Sequence, residues 1–141
     1  MSTSATATTI VVTRPGVDPS TGPASSFAGT VTVTSRFKGT GDARLGGATV
    51  TFAPGARTNW HTHPLGQLLI VTEGHGWVQA EGEPANAIAA GDAVWIAPGV
   101  KHWHGATHDI AMTHVGISEA LDGNTVTWLE PVSDADYLGR D

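Results

Sequence analysis

His61 and His63 are separated by a single residue, and so are His102 and His104. In a β-strand, residues i and i+2 face the same way. Each pair would therefore project two imidazoles side by side. An imidazole carries a donor and an acceptor, and two of them turned into an apolar interior without partners would cost free energy. A shared metal ion satisfies both rings at once; the ordinary alternative is a pair of surface histidines on an exposed strand face. All seven histidines, including His75, His108 and His114, follow residue 60. There is no cysteine, which removes disulfides, thiolate catalysis, zinc fingers and iron–sulfur clusters from consideration.

Rings placed in this way need strands to hold them, and the chain supplies many. With 141 residues, 18 of them glycine and 8 proline, it has room for one core divided by frequent turns. Gly29–Phe37 alternates at period two and is rich in β-branched residues. Further strands are predicted at Ala48–Ala53, Arg57–His63, Gln67–Glu73, Gly76–Ala80, Ala87–Ala89, Ala93–Ala97, His102–Gly105, Ile110–Ser118 and Thr125–Glu130. Pro54-Gly55, Gly74, Gly91-Asp92, Pro98-Gly99 and Asp122-Gly123 punctuate them. Only Ser133–Leu138 reads as helical. About ten short strands in one small domain imply an all-β sandwich or closed barrel. Residues 1–26 read as a flexible N-terminal arm in which Thr9–Thr13 could add an edge strand, and residues 27–141 as the single domain.

Charge and hydropathy narrow the partners. Thirteen acids against seven Lys/Arg give a net charge of -6, so neither a nucleic acid nor an anionic membrane surface is an expected partner. The longest apolar run, Leu68-Leu69-Ile70-Val71, is far short of the ~18 residues of a membrane helix. The opening residues lack the pattern of a secretory signal. A cytoplasmic protein is expected.

The spacing around the first histidine pair has more structure than the pair alone. From Gly55, five residues lead to His61, then come His63, Gln67 after three more, and Gly74 after six. This resembles the first cupin motif, Gly-x5-His-x-His-x3-Glu-x6-Gly, with Gln67 where Glu is usual. Gly91, Ala97, Gly99 and His102 resemble the second, Gly-x5-Pro-x-Gly-x2-His, with Pro98 displaced by one position. The resemblance implies a cupin double-stranded β-helix, the small jelly-roll barrel. The blocks Phe52–Gln67, Gly99-Val-Lys-His-Trp-His-Gly105 and Ala111-Met-Thr-His114 are more specifically similar to the bacterial manganese-dependent cupin hydroxynitrile lyases. Those enzymes make or split cyanohydrins, typically with (R)-selectivity.

Carried over by position, the resemblance implies His61, His63, Gln67 and His102 as metal ligands. Three neutral imidazoles and one neutral amide would leave a divalent ion its full charge and make it a strong Lewis acid. The resemblance implies Mn2+; Fe2+, Zn2+, Ni2+ and Co2+ suit the same donors. Cleaving a cyanohydrin needs a base for the hydroxyl proton, and His114 and His104 are the candidates, with the resemblance favouring His114. Ala48, Val50, Phe52, Leu69 and Met112 are expected to line an apolar substrate pocket. His75 and His108 are expected at the surface, Arg57 in an ordinary salt bridge, and the five tryptophans in packing or interfaces.

The leading function is thus a reversible cyanohydrin lyase taking an aldehyde and cyanide, at a site that could also run nitroaldol addition. An iron-dependent cupin dioxygenase, or a cupin that binds a small molecule or metal without turnover, are the alternatives. A homo-oligomer, dimer or tetramer, is expected, with Ile10–Val12 able to pair with a neighbour.

Overall fold

The computed structural model describes residues 9–138. Its strands are β1 (Ser20–Thr21), β2 (Phe27–Ala28), β3 (Val31–Lys38), β4 (Leu45–Phe52), β5 (Arg57–Thr58), β6 (His61–Thr62) and β7 (Gln67–Ala80). They continue with β8 (Asn86–Ala89), β9 (Ala93–Ile96), β10 (His102–Ala106), β11 (Met112–Glu119) and β12 (Thr127–Trp128), before the helix α1 (Asp134–Leu138). Every strand pairing is antiparallel. The strands run β1-β3-β4-β11-β7-β10-β5-β2 across one curled sheet, with β8 and β9 on β7 and with β6 and β12 beside β10. This is the all-β jelly-roll that the sequence predicts. Among the described residues no helix is long and apolar enough to cross a membrane.

The long strand β7 belongs to both faces of the barrel. Its first residues pair with β9 and β11, and His75–Ala80 pair with β8 and β10. The sequence predicts two strands here, Gln67–Glu73 and Gly76–Ala80. The chain instead bends without breaking at Gly74, where φ is 78° and an added Cβ would stand 1.8 Å from the Ala111 carbonyl oxygen. Only glycine tolerates that combination. The bend also changes the phase of the buried face: Leu69 and Val71 point inward before it, Gly76 and Val78 after it. One strand can thereby cover two sides of a barrel.

Burial divides the apolar residues into two groups. Val31, Phe52, Leu69, Val71, Ile96 and Met112 are among those that fill the barrel. Trp60, Trp103, Val132 and Tyr137 form a second cluster on the outer face of β10. Strand β10 is buried on both faces. Trp103 is fully buried, packs at a tilt against Tyr137 with ring centroids 5.6 Å apart and donates its indole N–H to Gln79. The C-terminal segment is clamped there: Arg57 pairs with Asp134, donates to the Val132 carbonyl and lies over the Tyr137 ring. Arg57 thus has the salt-bridge role expected of it, and the chain's own helix covers Trp103.

Several boundaries differ from the expectation. The Arg57–His63 run is split into β5 and β6, because Asn59 and Trp60 turn aside to pair with Ser26 and with Leu129 and Glu130. Thr125–Glu130 narrows to Thr127–Trp128. Within residues 1–26, the first eight lie outside the described residues. The expected edge strand at Thr9–Thr13 forms no ladder, and the edge neighbour of β3 is instead Ser20–Thr21.

Candidate metal centre and active site

Five histidines converge in the barrel interior. His61, His63, His102, His104 and His114 are all at most 5% exposed. Strand β10 supplies His102 and His104 two residues apart, and β11 supplies His114. Strand β6 lies antiparallel beside β10 with His61 opposite His102. The resulting ring-centroid separations are 4.2 Å for His61–His102, 5.0 Å for His61–His63, 5.2 Å for His61–His104 and 4.8 Å for His104–His114. His75 and His108 are exposed and remote in role, as expected.

Backbone carbonyls orient three of these rings. The Nδ1–H of His61 donates to the Asn59 carbonyl at 2.8 Å, that of His63 to Thr125 at 2.7 Å, and that of His102 to Val100 at 2.9 Å. In a neutral imidazole this fixes the proton on Nδ1 and leaves the lone pair on Nε2. The fourth and fifth rings bond to each other, His114 Nε2 with His104 Nδ1.

Burial holds the cluster uncharged. Desolvation is the largest influence on each ring. It lowers His61 well below 6.5, reinforced by the neighbouring His102, and does the same to His104, reinforced by His114. His102 and His114 are each lowered to about 4. His63 is lowered too, with the Thr125 carbonyl and the Gln67 side chain acting against the shift. Five neutral imidazoles therefore share this space at neutral pH.

The cluster is also left incomplete by protein atoms alone. His63 Nε2, Gln67 Oε1, His102 Nε2 and His104 Nε2 are buried and have no hydrogen-bond partner. Each unsatisfied buried polar atom costs about 1–3 kcal/mol. A cation would satisfy several of them together, and imidazole nitrogens with an amide oxygen are donors suited to a divalent transition metal. One ring nitrogen from each of His61, His102 and His104 lies within 4.8 Å of the others. Three buried histidines can thus hold a metal ion. This trio includes His104, which the sequence reading treats as a base, while His63 and Gln67 lie beside it with unpartnered atoms.

Four of the five rings line a cavity of about 790 Å3. Its walls include Ala48, Val50, Phe52, His61, His63, Gln67, His104 and His114. Leu69 and Met112, also expected on the wall, are fully buried in the barrel core and do not line it. The reason is that period-two alternation selects a face, whereas the cavity occupies only part of that face. Gly116 continues the inward positions of β11, and a Cβ there would lie 3.3 Å from the Gln67 amide nitrogen and 3.8 Å from His114 Cε1. Its missing side chain is cavity space.

Two wall residues had no such role in the sequence reading. Trp128 lies tilted against His61 with ring centroids 4.7 Å apart, and Phe27 lies 5.4 Å from Trp128. Pairing of Trp128 opposite His61 in β12 and β6 brings the indole there. That contact joins residues 67 positions apart, and no local pattern announces it.

A jelly-roll with clustered histidines at the motif positions defines the class, and the chain belongs to the cupin family: the cupin-domain model matches residues 48–116. Among its relatives is the (R)-mandelonitrile lyase of the bacterium Granulicella tundricola, 56% identical over 116 residues, covering 82% of this chain and 88% of that protein. A cupin-like protein from Thermotoga maritima superposes with a TM-score of 0.82 at 38% identity, covering 90% of this chain and 95% of the other. A cupin-2 domain protein from Rhodospirillum rubrum shares the fold alone, with a TM-score of 0.65 at 21% identity over 92% of this chain and 84% of that one.

Proposed function

We propose that the protein is a metal-dependent hydroxynitrile lyase that splits and forms cyanohydrins such as mandelonitrile. One observation carries the reading: buried, neutral histidines with unpartnered ring nitrogens line an apolar cavity. The likeness to an (R)-mandelonitrile lyase supports it and extends the proposal to (R)-selectivity.

His61, His63, Gln67 and His102 would hold the metal, and His104 Nε2 would stand beside it with its lone pair free. Manganese is the metal proposed. When bound, it supplies Lewis acidity toward the substrate's oxygen, which offsets the low basicity of the buried histidines. The chain's own groups handle the proton. His104 Nε2 is unpartnered and its other nitrogen bonds His114. With the proton on His104 Nδ1, Nε2 accepts the cyanohydrin hydroxyl proton, and His114 Nε2 receives the Nδ1 proton. The carbon–carbon bond electrons depart with cyanide, the carbonyl forms, and the stored proton returns to give hydrogen cyanide. Phe52, Trp128 and Val50 exclude water from the exchange.

A cytoplasmic enzyme and a homo-oligomer complete the proposal. Ile10, Val11 and Val12 are 77%, 66% and 60% exposed, a run of β-branched surface that a second copy would cover. The reading is tested by measuring cyanide release from mandelonitrile and the enantiomeric composition of the reverse reaction, with nitromethane addition assayed beside it. Release by the manganese-loaded protein above a metal-free control is expected. Equal release with and without metal would contradict the proposal.

A further inference from the structure

Besides the histidines, the cavity wall carries a group of cations. Arg36 and Lys38, near the end of β3, and Arg44, just before β4, line it, and no Asp or Glu does. All three are exposed. The chain carries thirteen acids and only seven Lys/Arg, yet none of these three has a carboxylate at ion-pair distance among the described residues, whereas Arg57 and Lys101 do. Arg36 is held in place by the Asp18 carbonyl and the Ser20 hydroxyl, neither of which neutralises it. Three like charges kept together and unneutralised repel one another unless an anion arrives.

The cavity's size points the same way. At about 790 Å3 it lies toward the upper part of the ~300–1,000 Å3 range of pockets that enclose drug-sized ligands. A molecule as small as mandelonitrile would leave much of it unfilled. Val33, Phe37, Val50 and Phe52 add apolar wall between these cations and the histidines' side of the same cavity.

We infer that the substrate carries a carboxylate, bound by Arg36, Lys38 and Arg44, on an apolar body that sets its carbonyl or hydroxynitrile carbon against the histidines. Guanidinium groups bind carboxylates through paired, charge-assisted hydrogen bonds, and an apolar body suits that apolar wall. The inference rests on the proposed function for which end of the molecule reacts, but binding at the rim can be read without turnover.

The test is calorimetric titration of the metal-loaded protein with 4-(hydroxymethyl)benzoate and with benzyl alcohol, neither of which can release cyanide. The carboxylate compound is expected to bind about tenfold more tightly or better. That preference should shrink as salt rises from ~0.05 to ~0.5 M, because the pairs are exposed. In the triple variant R36Q/K38Q/R44Q the ratio of the two affinities should collapse toward one. Equal affinities in the unaltered protein would overturn the inference. Acetate binding as tightly as 4-(hydroxymethyl)benzoate would overturn it too, since the rim would then hold a free anion. Absence of cyanide release from mandelonitrile would count against the lyase reading and leave this binding result standing.

Discussion

His104 and His114 hydrogen-bond ring to ring at 3.0 Å, Nδ1 to Nε2, across β10 and β11, and both are buried. Among the described residues neither ring has a carboxylate partner, so one imidazole must donate and the other accept. With the proton on His104 Nδ1, its Nε2 offers a lone pair toward His61 and His102; with the proton on His114 Nε2, it offers an N–H. Uptake of a proton on His104 Nε2, coupled to passage of its Nδ1 proton along this bond to His114 Nε2, converts His104 Nε2 from acceptor to donor, which is what a reversible proton transfer requires.

His114 should therefore act through His104. His114→Ala is expected to retain bound metal and lower turnover by roughly 10²–10⁴-fold, with a displaced pH–rate profile. His114→Gln keeps an oxygen able to accept from His104 Nδ1 and should recover part of the rate. Unchanged kcat and pH profile in His114→Ala would remove His114 from the reaction.

Ligand removal should separate metal retention from folding. His61→Ala and His102→Ala each delete a ring whose Nδ1–H is anchored on a backbone carbonyl. Both variants are expected to lose metal by elemental analysis while keeping the β-type circular dichroism of the apolar barrel. Wild-type metal content in either would contradict the assignment.

Acid should destabilise the metal-free protein over a defined window. Burial lowers the histidines in the folded state, to about 4 for His102 and His114, while the unfolded chain titrates near 6.5. Between these values the unfolded state binds more protons, so stability rises with pH there. The melting temperature should be flat above about pH 6.5 and fall as pH drops toward about 4. A melting temperature constant through that window would show that the rings are solvated.

The outer cluster should matter to stability without touching the chemistry. Trp103→Ala removes a fully buried indole packed against Tyr137 and is expected to cost about 3–5 kcal/mol by denaturant unfolding. A loss below about 1 kcal/mol would show that the C-terminal helix does not bury this face in solution.

Much of the site was legible because histidine spacing and strand period act locally. His61, His63, His102 and His104 converge as period two and the motif spacing require. What escaped depends on distance along the chain or along the barrel. Met112 and His114 share a face of β11, and so do Gln67 and Leu69 on β7, but side chains fill the barrel at one level and leave it open at another. Alternation cannot tell those levels apart. Gly74 resembles a turn in sequence, yet its positive φ bends a continuous strand. Trp128 and the carbonyl of Thr125 reach the histidines only through the return of the chain's last strand beside β6.

The central claim is that a metal held by these histidines carries cyanohydrin chemistry. Its most direct test is elemental analysis of the purified protein coupled to cyanide release from mandelonitrile before chelation, after it, and after manganese is restored. Bound manganese, loss of release on chelation and recovery on reloading are the predicted results. A protein that takes up no metal, or whose cyanide release is indifferent to chelation, would contradict the account.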